Sequence, residues 1–198
     1  MTEGVTQVVV RPLTHELLDD WLAFFDGEAF ADNPDWAGCY CQWFHVGDAA
    51  QWEARSAEQN RAAAIDAIRA RRMHGYLAYL DGRPAGWCHA APRSTLPRIA
   101  NDPELARGEG DEVGSIACFL IGASARRQGI AGLLLDAACE GFGHLGFGVA
   151  EAYPSAVADG DAANYHGPLE LYLRAGFREY ARAGDCVIVR RDVGGGAR

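Results

Sequence analysis

The sequence lacks any run approaching the roughly 18 uninterrupted apolar residues that a membrane-spanning helix needs. Its N-terminal stretch, MTEGVTQVVVRP, also lacks a basic start that leads into a long apolar segment, which is the pattern of a secretory signal. We therefore expect no membrane partner and a cytoplasmic location.

Positive charge is scarce as well. The chain has 18 Lys and Arg against 27 Asp and Glu, which gives a formal net charge of −9. Because nucleic-acid-binding proteins normally carry a basic face, we expect no nucleic-acid partner. An acidic chain suits a cationic partner such as an amine, and an anionic ligand has to rely on local positive groups.

The cysteines do not form the dense framework of a disulfide-stapled domain. All six are scattered over apolar segments, which is typical of buried free thiols. They are Cys39, Cys41, Cys88, Cys118, Cys139 and Cys186.

What is present indicates an ordinary globular protein. The 198 residues are 49% apolar and 23% charged, enough for one domain with a sizeable core. We expect a single domain over residues 1–192 and a disordered tail at 193–198.

The most informative stretch is 119–136, FLIGASARRQGIAGLLLD. It predicts a buried strand, a short polar turn, and a helix whose first turn carries arginines and glycines. Small residues there leave backbone N–H groups uncovered at the positive end of the helix dipole. That arrangement suits an anionic phosphate group.

The rest of the chain alternates between strand and helix patterns, which predicts a mixed α/β fold. A capping box at Ser56–Gln59 opens a helix, and Asp81-Gly82 predicts a hairpin turn. Residues 36–45 form a strand or a buried loop, and propensity favours the strand. The polar segment 92–109 is too long for a simple connector, so we expect a mobile lid or a disordered loop.

Arg126-x-x-Gly129-x-Ala131 resembles the Gln/Arg-x-x-Gly-x-Gly/Ala signature of the GNAT superfamily of acyl-CoA-dependent N-acyltransferases. The likeness extends over residues 5–192. It implies a single-domain GNAT fold of the α/β (α+β) class. In that fold a twisted, mixed and mostly antiparallel sheet, with one parallel pair, is flanked by helices.

The resemblance also implies acetyl-CoA as the co-substrate. The loop and helix start would wrap the pyrophosphate, and the preceding strand would hydrogen-bond the pantetheine arm through its backbone. The implied cofactor-binding residues are Phe119, Leu120, Ile121, Arg126, Arg127, Gln128, Gly129, Ile130, Ala131 and Gly132.

The segment from Leu171 to Phe177 resembles the family's second signature, Leu-Tyr-x-x-x-Gly-Phe. The resemblance implies that Tyr172 protonates the departing thiolate, since a phenol of pKa ~10 can donate to a thiolate of similar basicity. Gly176 is expected to end the helix in the left-handed conformation. The alternative is that Tyr172 only packs in the core.

The general base is harder to assign. Some family members carry a glutamate on the motif strand, eleven residues before the signature arginine, where this chain has Ser115. Glu151, inside an otherwise apolar strand, is the best substitute because burial would raise the pKa of its carboxyl. The alternative is that Glu151 is a solvated or salt-bridged strand residue. Glu112, His89 and a water chain are weaker candidates.

Cys39-x-Cys41 with His45 invites a zinc interpretation. Structural zinc normally takes four ligands, and only three candidates lie close together, so no metal is expected. Cys118 is disfavoured as a nucleophile because it lies in an apolar strand, which raises the pKa of a thiol.

The sequence therefore predicts an N-acetyltransferase in which a primary amine attacks acetyl-CoA directly, in a ternary complex. A non-catalytic acyl-CoA-binding sensor or regulatory module is the alternative. The acceptor is a small-molecule or peptide amine, with its pocket expected around residues 36–45. Monomer and homodimer both stay open as the oligomeric state.

Overall fold

A computed structural model of the chain describes residues 7–107, 113–157, 160 and 164–194. The strands are Val8–Pro12 (β1), Gly75–Leu80 (β2), Arg83–Pro92 (β3), Val113–Ile121 (β4), Val149–Ala152 (β5), Arg178–Ala183 (β6) and Cys186–Asp192 (β7). The α-helices are Leu18–Phe25 (α1), Ala49–Glu53 (α2), Ala57–Arg69 (α3), Pro97–Ala100 (α4), Ile130–His144 (α5) and Leu169–Arg174 (α6).

Within these residues the seven strands form one mixed sheet in the order β1-β2-β3-β4-β5-β7-β6. Strands β4 and β5 run parallel, and every other neighbouring pair is antiparallel. The expected single-domain α/β fold is confirmed. No helix in the described ranges is long and apolar enough to cross a membrane.

Helices cover both faces of the sheet, because successive side chains of the central strands point to opposite sides. On β2, Leu77 packs into a core with α1 and α3, whereas Ala78 packs into a second core with α5. Both residues are 0% exposed. The two cores hold the central strands in a fixed position beneath the helices.

Local sequence signals explain several elements. Asp81 (φ 50°) and Gly82 (φ 80°) both adopt the left-handed backbone that a tight hairpin turn requires. The capping box at the start of α3 is complete, since Ser56 Oγ accepts from Gln59 N and the Gln59 side chain accepts from Ser56 N. Both predictions are confirmed.

The strand favoured at residues 36–45 is wrong. The segment forms two 3₁₀ helices, Pro34–Cys39 and Gln42–His45. The aromatic side chains of this segment pack against separate parts of the fold. The Tyr40 ring stacks on Phe25 of α1 with centroids 6.1 Å apart, whereas Trp36 packs on Tyr165 and Trp43 on Trp52. Tertiary packing thus overrides the strand propensity of the aromatic residues.

The expected lid or disordered loop at residues 92–109 is also wrong for the part that is described. A 3₁₀ turn, Arg93–Thr95, leads into α4. Leu96 and Ile99 are 0% and 1% exposed, so they anchor the segment in the core. Residues 108 and 109, the base candidate Glu112 and residues 195–198 of the expected tail lie outside the described residues.

Candidate active site

The candidate site begins where β4 and β5 separate. The two strands are in register from Val113 with Val149 to Ile116 with Ala152. There β5 ends, whereas β4 continues to Ile121. A groove of about 770 Å³ opens along this second half of β4 and runs to the start of α5.

The predicted cofactor loop lines this groove. Gly129 is the N-cap residue of α5, with a left-handed backbone at φ 79°. A Cβ built on Gly129 or Gly132 would meet no heavy atom within 4 Å, so the helix start is open to the groove. The first N–H groups of a helix have no intrahelical acceptor and carry the positive end of the dipole. These residues therefore fit a pyrophosphate group.

Most of the predicted cofactor residues line the groove. Those that line the groove are Phe119, Leu120, Ile121, Arg126, Arg127, Gly129, Ile130, Ala131 and Gly132. Gln128 instead lies on the exposed side of the turn, where its amide donates to Ser124 O at 3.3 Å.

Arg126 is held across the groove by an acidic residue. Its guanidinium donates to both carboxylate oxygens of Asp32, at 2.6 and 3.1 Å, and its Nε donates to Ile121 O at 3.2 Å. The hydrogen bond from Arg126 lowers the pKa of Asp32 below its ordinary value. A positive and a negative side chain therefore both line the groove, next to the open end of α5.

A loop runs along the half of β4 that extends beyond β5. Phe119 N donates to Tyr165 O at 2.6 Å, and His166 Nδ1 lies 2.8 Å from Ala117 O. Burial lowers the pKa of His166 to about 4, so the ring is neutral at pH 7 and donates to Ala117 O through Nδ1–H. A ligand that uses the Phe119 amide has to replace the Tyr165 carbonyl.

Tyr172 lies behind the groove wall. Its side chain is 0% exposed, and its hydroxyl donates to the backbone oxygen of His166. Burial raises its pKa well above the ordinary value of 10. Gly176 has φ 83°, as expected for the left-handed end of a helix, and Phe177 packs on the Tyr172 ring with centroids 5.3 Å apart. Tyr172 thus supports the loop that carries His166.

Glu151 is enclosed between two arginines. Its Oε1 accepts from Arg93 Nη1 at 3.2 Å and from the Tyr153 hydroxyl at 2.6 Å, and its Oε2 accepts from Arg190 Nε at 2.6 Å. Glu151 is 0% exposed. Among the described residues it lines neither the groove nor the neighbouring cavity. As placed, both of its oxygens already accept from protein donors.

A second cavity, which we call the aromatic cavity, adjoins the groove. It has a volume of about 660 Å³ and is lined on one side by the 3₁₀ segments of residues 34–45. The rings of Trp36 and Tyr165 lie edge to face, with centroids 5.5 Å apart, where the two spaces meet. Residues common to both linings are Phe30, Trp36, Leu120 and Tyr165.

The sequence interpretation missed one contact in this cavity. Cys41 Sγ lies 3.5 Å from His89 Nδ1, although the two residues are 48 positions apart. No local spacing could predict this pair, since it depends on how the 3₁₀ segments dock on β3. The described residues contain no group of three or more His, Cys, Asp or Glu side chains placed to hold a metal ion.

Comparison with known proteins identifies the family. Residues 15–177 match the model of the acetyltransferase (GNAT) family. The chain therefore belongs to that family, and the resemblance noted in the sequence is confirmed. Family membership supports acyl transfer as the general activity. No curated relative matches the chain in sequence at a significant level.

Several solved structures share the fold. The PaiA N-acetyltransferase from Thermoplasma acidophilum, in complex with coenzyme A, has a TM-score of 0.54 at 12% identity, over 94% of this chain and 99% of that one. The aminoglycoside N-acetyltransferase AAC(6')-Iy, in complex with CoA, has a TM-score of 0.55 at 14% identity, over 92% and 95%. The ribosomal-protein-alanine N-acetyltransferase from Brucella melitensis has a TM-score of 0.54 at 16% identity, over 93% and 99%.

Proposed function

We propose that this protein transfers an acetyl group from acetyl-CoA to a primary amine. The observation that carries the proposal is the groove along the half of β4 that extends beyond β5. This groove ends at the open N-terminus of α5. Two proteins of the same fold have coenzyme A bound. An elongated co-substrate with an anionic end suits a groove whose polar end offers unpaired N–H groups.

The donor would lie along the groove with its pyrophosphate at the start of α5. Arg126 and Arg127 add positive charge there, and the Asp32 carboxylate opposes it. The pantetheine arm would follow Phe119, Leu120 and Ile121, which places the thioester near the Phe119 amide. Once the thioester carbonyl has replaced the Tyr165 carbonyl as its acceptor, the Phe119 N–H polarises the thioester and stabilises the developing oxyanion.

The acceptor would enter through the aromatic cavity. Its wall meets the groove at Trp36 and Tyr165, so an amine in the cavity can approach a thioester in the groove from the side. Two proteins that share the fold are an aminoglycoside N-acetyltransferase and a ribosomal-protein-alanine N-acetyltransferase. A small-molecule or peptide amine is the corresponding acceptor here.

In the simplest path the amine attacks the thioester directly, and much of the rate comes from holding both substrates in one cleft. Tyr172 is assigned as the acid that protonates the leaving thiolate, and Glu151 as the base. Each role requires a change of partner, because Tyr172 donates to His166 O and Glu151 accepts from Arg93, Tyr153 and Arg190.

The test is an acetylation assay on the purified chain with acetyl-CoA and a panel of amines, which includes aminoglycosides, polyamines, aryl-alkylamines and peptides with a free N-terminus. Thiol release and mass spectrometry of the products are measured together. N-acetyl product with stoichiometric CoA release is expected for at least one class. Tight acetyl-CoA binding with no product from any amine would instead establish a sensor or regulatory module.

A further inference from the structure

Cys41 is held in a polar environment inside the protein. Trp87 Nε1 donates to its sulfur at 3.3 Å, and His89 Nδ1 lies 3.5 Å from the same atom. Trp87 and His89 are two positions apart on β3, so their side chains leave the same face of the sheet. The sulfur is thereby placed between a fixed N–H donor and an imidazole.

The backbone around Cys41 is unusual. Tyr40 (φ 43°) and Cys41 (φ 56°) are consecutive non-glycine residues in the left-handed region. Such a conformation is unfavourable for residues with a side chain and persists only where the surroundings impose it. Here the Tyr40 hydroxyl donates to Asp26 at 2.7 Å, which fixes the turn from the α1 side. The turn directs the sulfur toward β3.

The electrostatics distinguish Cys41 from the other thiols. Burial raises the pKa of Cys41, but hydrogen bonds from the Cys118 thiol, His89 and Trp87 and the charge of His89 outweigh it, so the pKa lies well below its ordinary value. The hydrogen bond to Cys41 and burial raise the pKa of Cys118. Burial raises the pKa of Cys186 to about 11. These directions make Cys41 more acidic than Cys118 or Cys186.

The position of Cys41 is equally informative. It lines the aromatic cavity together with Cys118 and Leu120 of β4, and Leu120 also lines the groove. Cys41 and the proposed thioester position at Phe119 thus line two adjoining spaces that share Leu120. Cys41 is only 1% exposed to solvent, so an electrophile reaches its sulfur from the cavity only when the cavity wall moves.

His89 has the capacity to move a proton at this site. It is 0% exposed, and its Nε2 is a buried polar atom for which the described residues supply no hydrogen-bond partner. The neighbouring titratable ring, His45, lies with its centroid 5.1 Å away, and burial and the charge of His89 lower its pKa to about 3. His89 is the imidazole in direct contact with the Cys41 sulfur.

We propose that Cys41, paired with His89, is a second nucleophile of this protein and an S-acylation site for the acyl group of the thioester donor. The inference rests on the proposed function for its donor. The Cys41 sulfur attacks the thioester carbonyl carbon, and a carbon–sulfur bond to Cys41 forms as the bond to the CoA sulfur breaks. His89 takes the thiol proton and gives it to the departing thiolate, so the products are an S-acyl cysteine and free CoA.

The test is peptide mapping by mass spectrometry after incubation of the full chain with acetyl-CoA. Because the sequence contains no lysine, an added acetyl group inside the chain cannot be on a lysine amine. One acetyl group is expected on Cys41, and hydroxylamine should remove it as it does other thioesters. Cys41→Ala should abolish it. The matched control, Cys186→Ser, removes a more exposed thiol and should leave the acetylation of Cys41 intact.

The role of His89 is tested by a measurement that a loss of folded protein alone would not change. His89→Gln should slow acetylation of Cys41 at least ~10-fold, in line with the loss of a general acid–base partner. The rate of Cys41 alkylation by iodoacetamide is measured as a function of pH in the absence of CoA. In the same variant the midpoint of this profile should shift to higher pH. An unchanged alkylation profile in His89→Gln would contradict the pairing.

The two levels of the proposal fail differently. If calorimetry shows acetyl-CoA binding and amines are acetylated while Cys41 carries no acetyl group, S-acylation is wrong and the proposed function stands. If acetyl-CoA does not bind at all, both are wrong. The peptide map of the wild-type chain shows whether Cys41 carries an acetyl group even if the Cys41→Ala variant does not fold.

Discussion

Ser115 on β4 lies in register with Glu151 on β5, across the parallel pair of strands. The Tyr153 hydroxyl connects the two side chains, 2.7 Å from Ser115 Oγ and 2.6 Å from Glu151 Oε1. Ser115 stands where some family members carry a glutamate, and in this chain the carboxylate is on the neighbouring strand. The Glu151 carboxylate forms ion pairs with two arginines, and we therefore first expect its removal to change the stability of the fold.

Glu151→Gln should lower the free energy of unfolding by about 3 kcal/mol, because it removes the buried carboxylate that forms ion pairs with Arg93 and Arg190. Urea denaturation measures the change. The matched control is Glu179→Gln, which breaks an exposed ion pair with Arg182 and should leave stability close to wild type. Equal stabilities of the two variants would contradict a structural role for Glu151.

Tyr172→Phe should lower kcat about 100-fold if the hydroxyl protonates the leaving thiolate, with the Kd of acetyl-CoA unchanged. The variant removes only the oxygen atom and keeps the ring between Phe119 and Phe177. Steady-state kinetics provide kcat, and calorimetry on the same preparation provides the Kd of acetyl-CoA. A lower melting temperature with full kcat per folded molecule would show that Tyr172 acts only through its bond to His166 O.

Asp32→Asn should tighten acetyl-CoA binding roughly two- to five-fold at low salt, the size of an exposed charge interaction of about 0.5–1 kcal/mol. The reason is that Asp32 holds Arg126 with a negative charge that also lies in the groove. The gain should shrink at high salt. Asp136→Asn, which removes the same charge outside the groove, is the control and should leave the Kd unchanged. Weaker binding by Asp32→Asn would mean that Asp32 is needed to orient Arg126.

Stability should fall as the pH is lowered from 7 to 5. Burial lowers the pKa of His166 from 6.5 to about 4 and that of His45 from 6.5 to about 3. In this window the unfolded chain binds more protons than the folded one, so stability is fully present above pH 6.5 and is lost toward acid. The loss at pH 5 is about 2 kcal/mol for each ring.

Urea denaturation at the two pH values checks this prediction. His166→Asn should reduce the loss by about 2 kcal/mol, because the ring that resists protonation is gone. His15→Gln, at an exposed histidine, is the control and should keep the full pH dependence. The same loss in His166→Asn as in wild type would contradict a buried, neutral His166.

The position of the predicted cofactor loop could be inferred from the sequence because its signals are local. The glycines and arginines of residues 126–132 act through the backbone of one turn, and the structure places them at the start of α5, beside the groove. The hairpin at Asp81-Gly82 and the capping box at Ser56 were predictable for the same reason. Each depends on residues within a few positions of one another.

The acceptor side was not predictable, since it depends on long-range packing. The aromatic residues at 36–45 have strand propensity, but contacts with distant rings, such as those of Tyr40 with α1 and of Trp36 with Tyr165, decide their conformation. The pairing of Cys41 with His89 and that of Glu151 with Arg93 and Arg190 join distant segments of the chain. The sequence marked Cys41, His89 and Glu151 as candidates without indicating these partners.

The most direct test of the account is calorimetric titration of acetyl-CoA into wild type, Gly129→Asp and Gly146→Asp. Gly129 (φ 79°) and Gly146 (φ 86°) flank the two ends of α5 with similar left-handed backbones, and an added Cβ has open space at both. The two variants therefore introduce the same strain and the same charge. We expect wild type and Gly146→Asp to bind alike and Gly129→Asp to bind at least ~10-fold more weakly, because its carboxylate opposes an anion at the helix start. Equal binding by all three proteins, or none by wild type, would contradict a cofactor site at the start of α5.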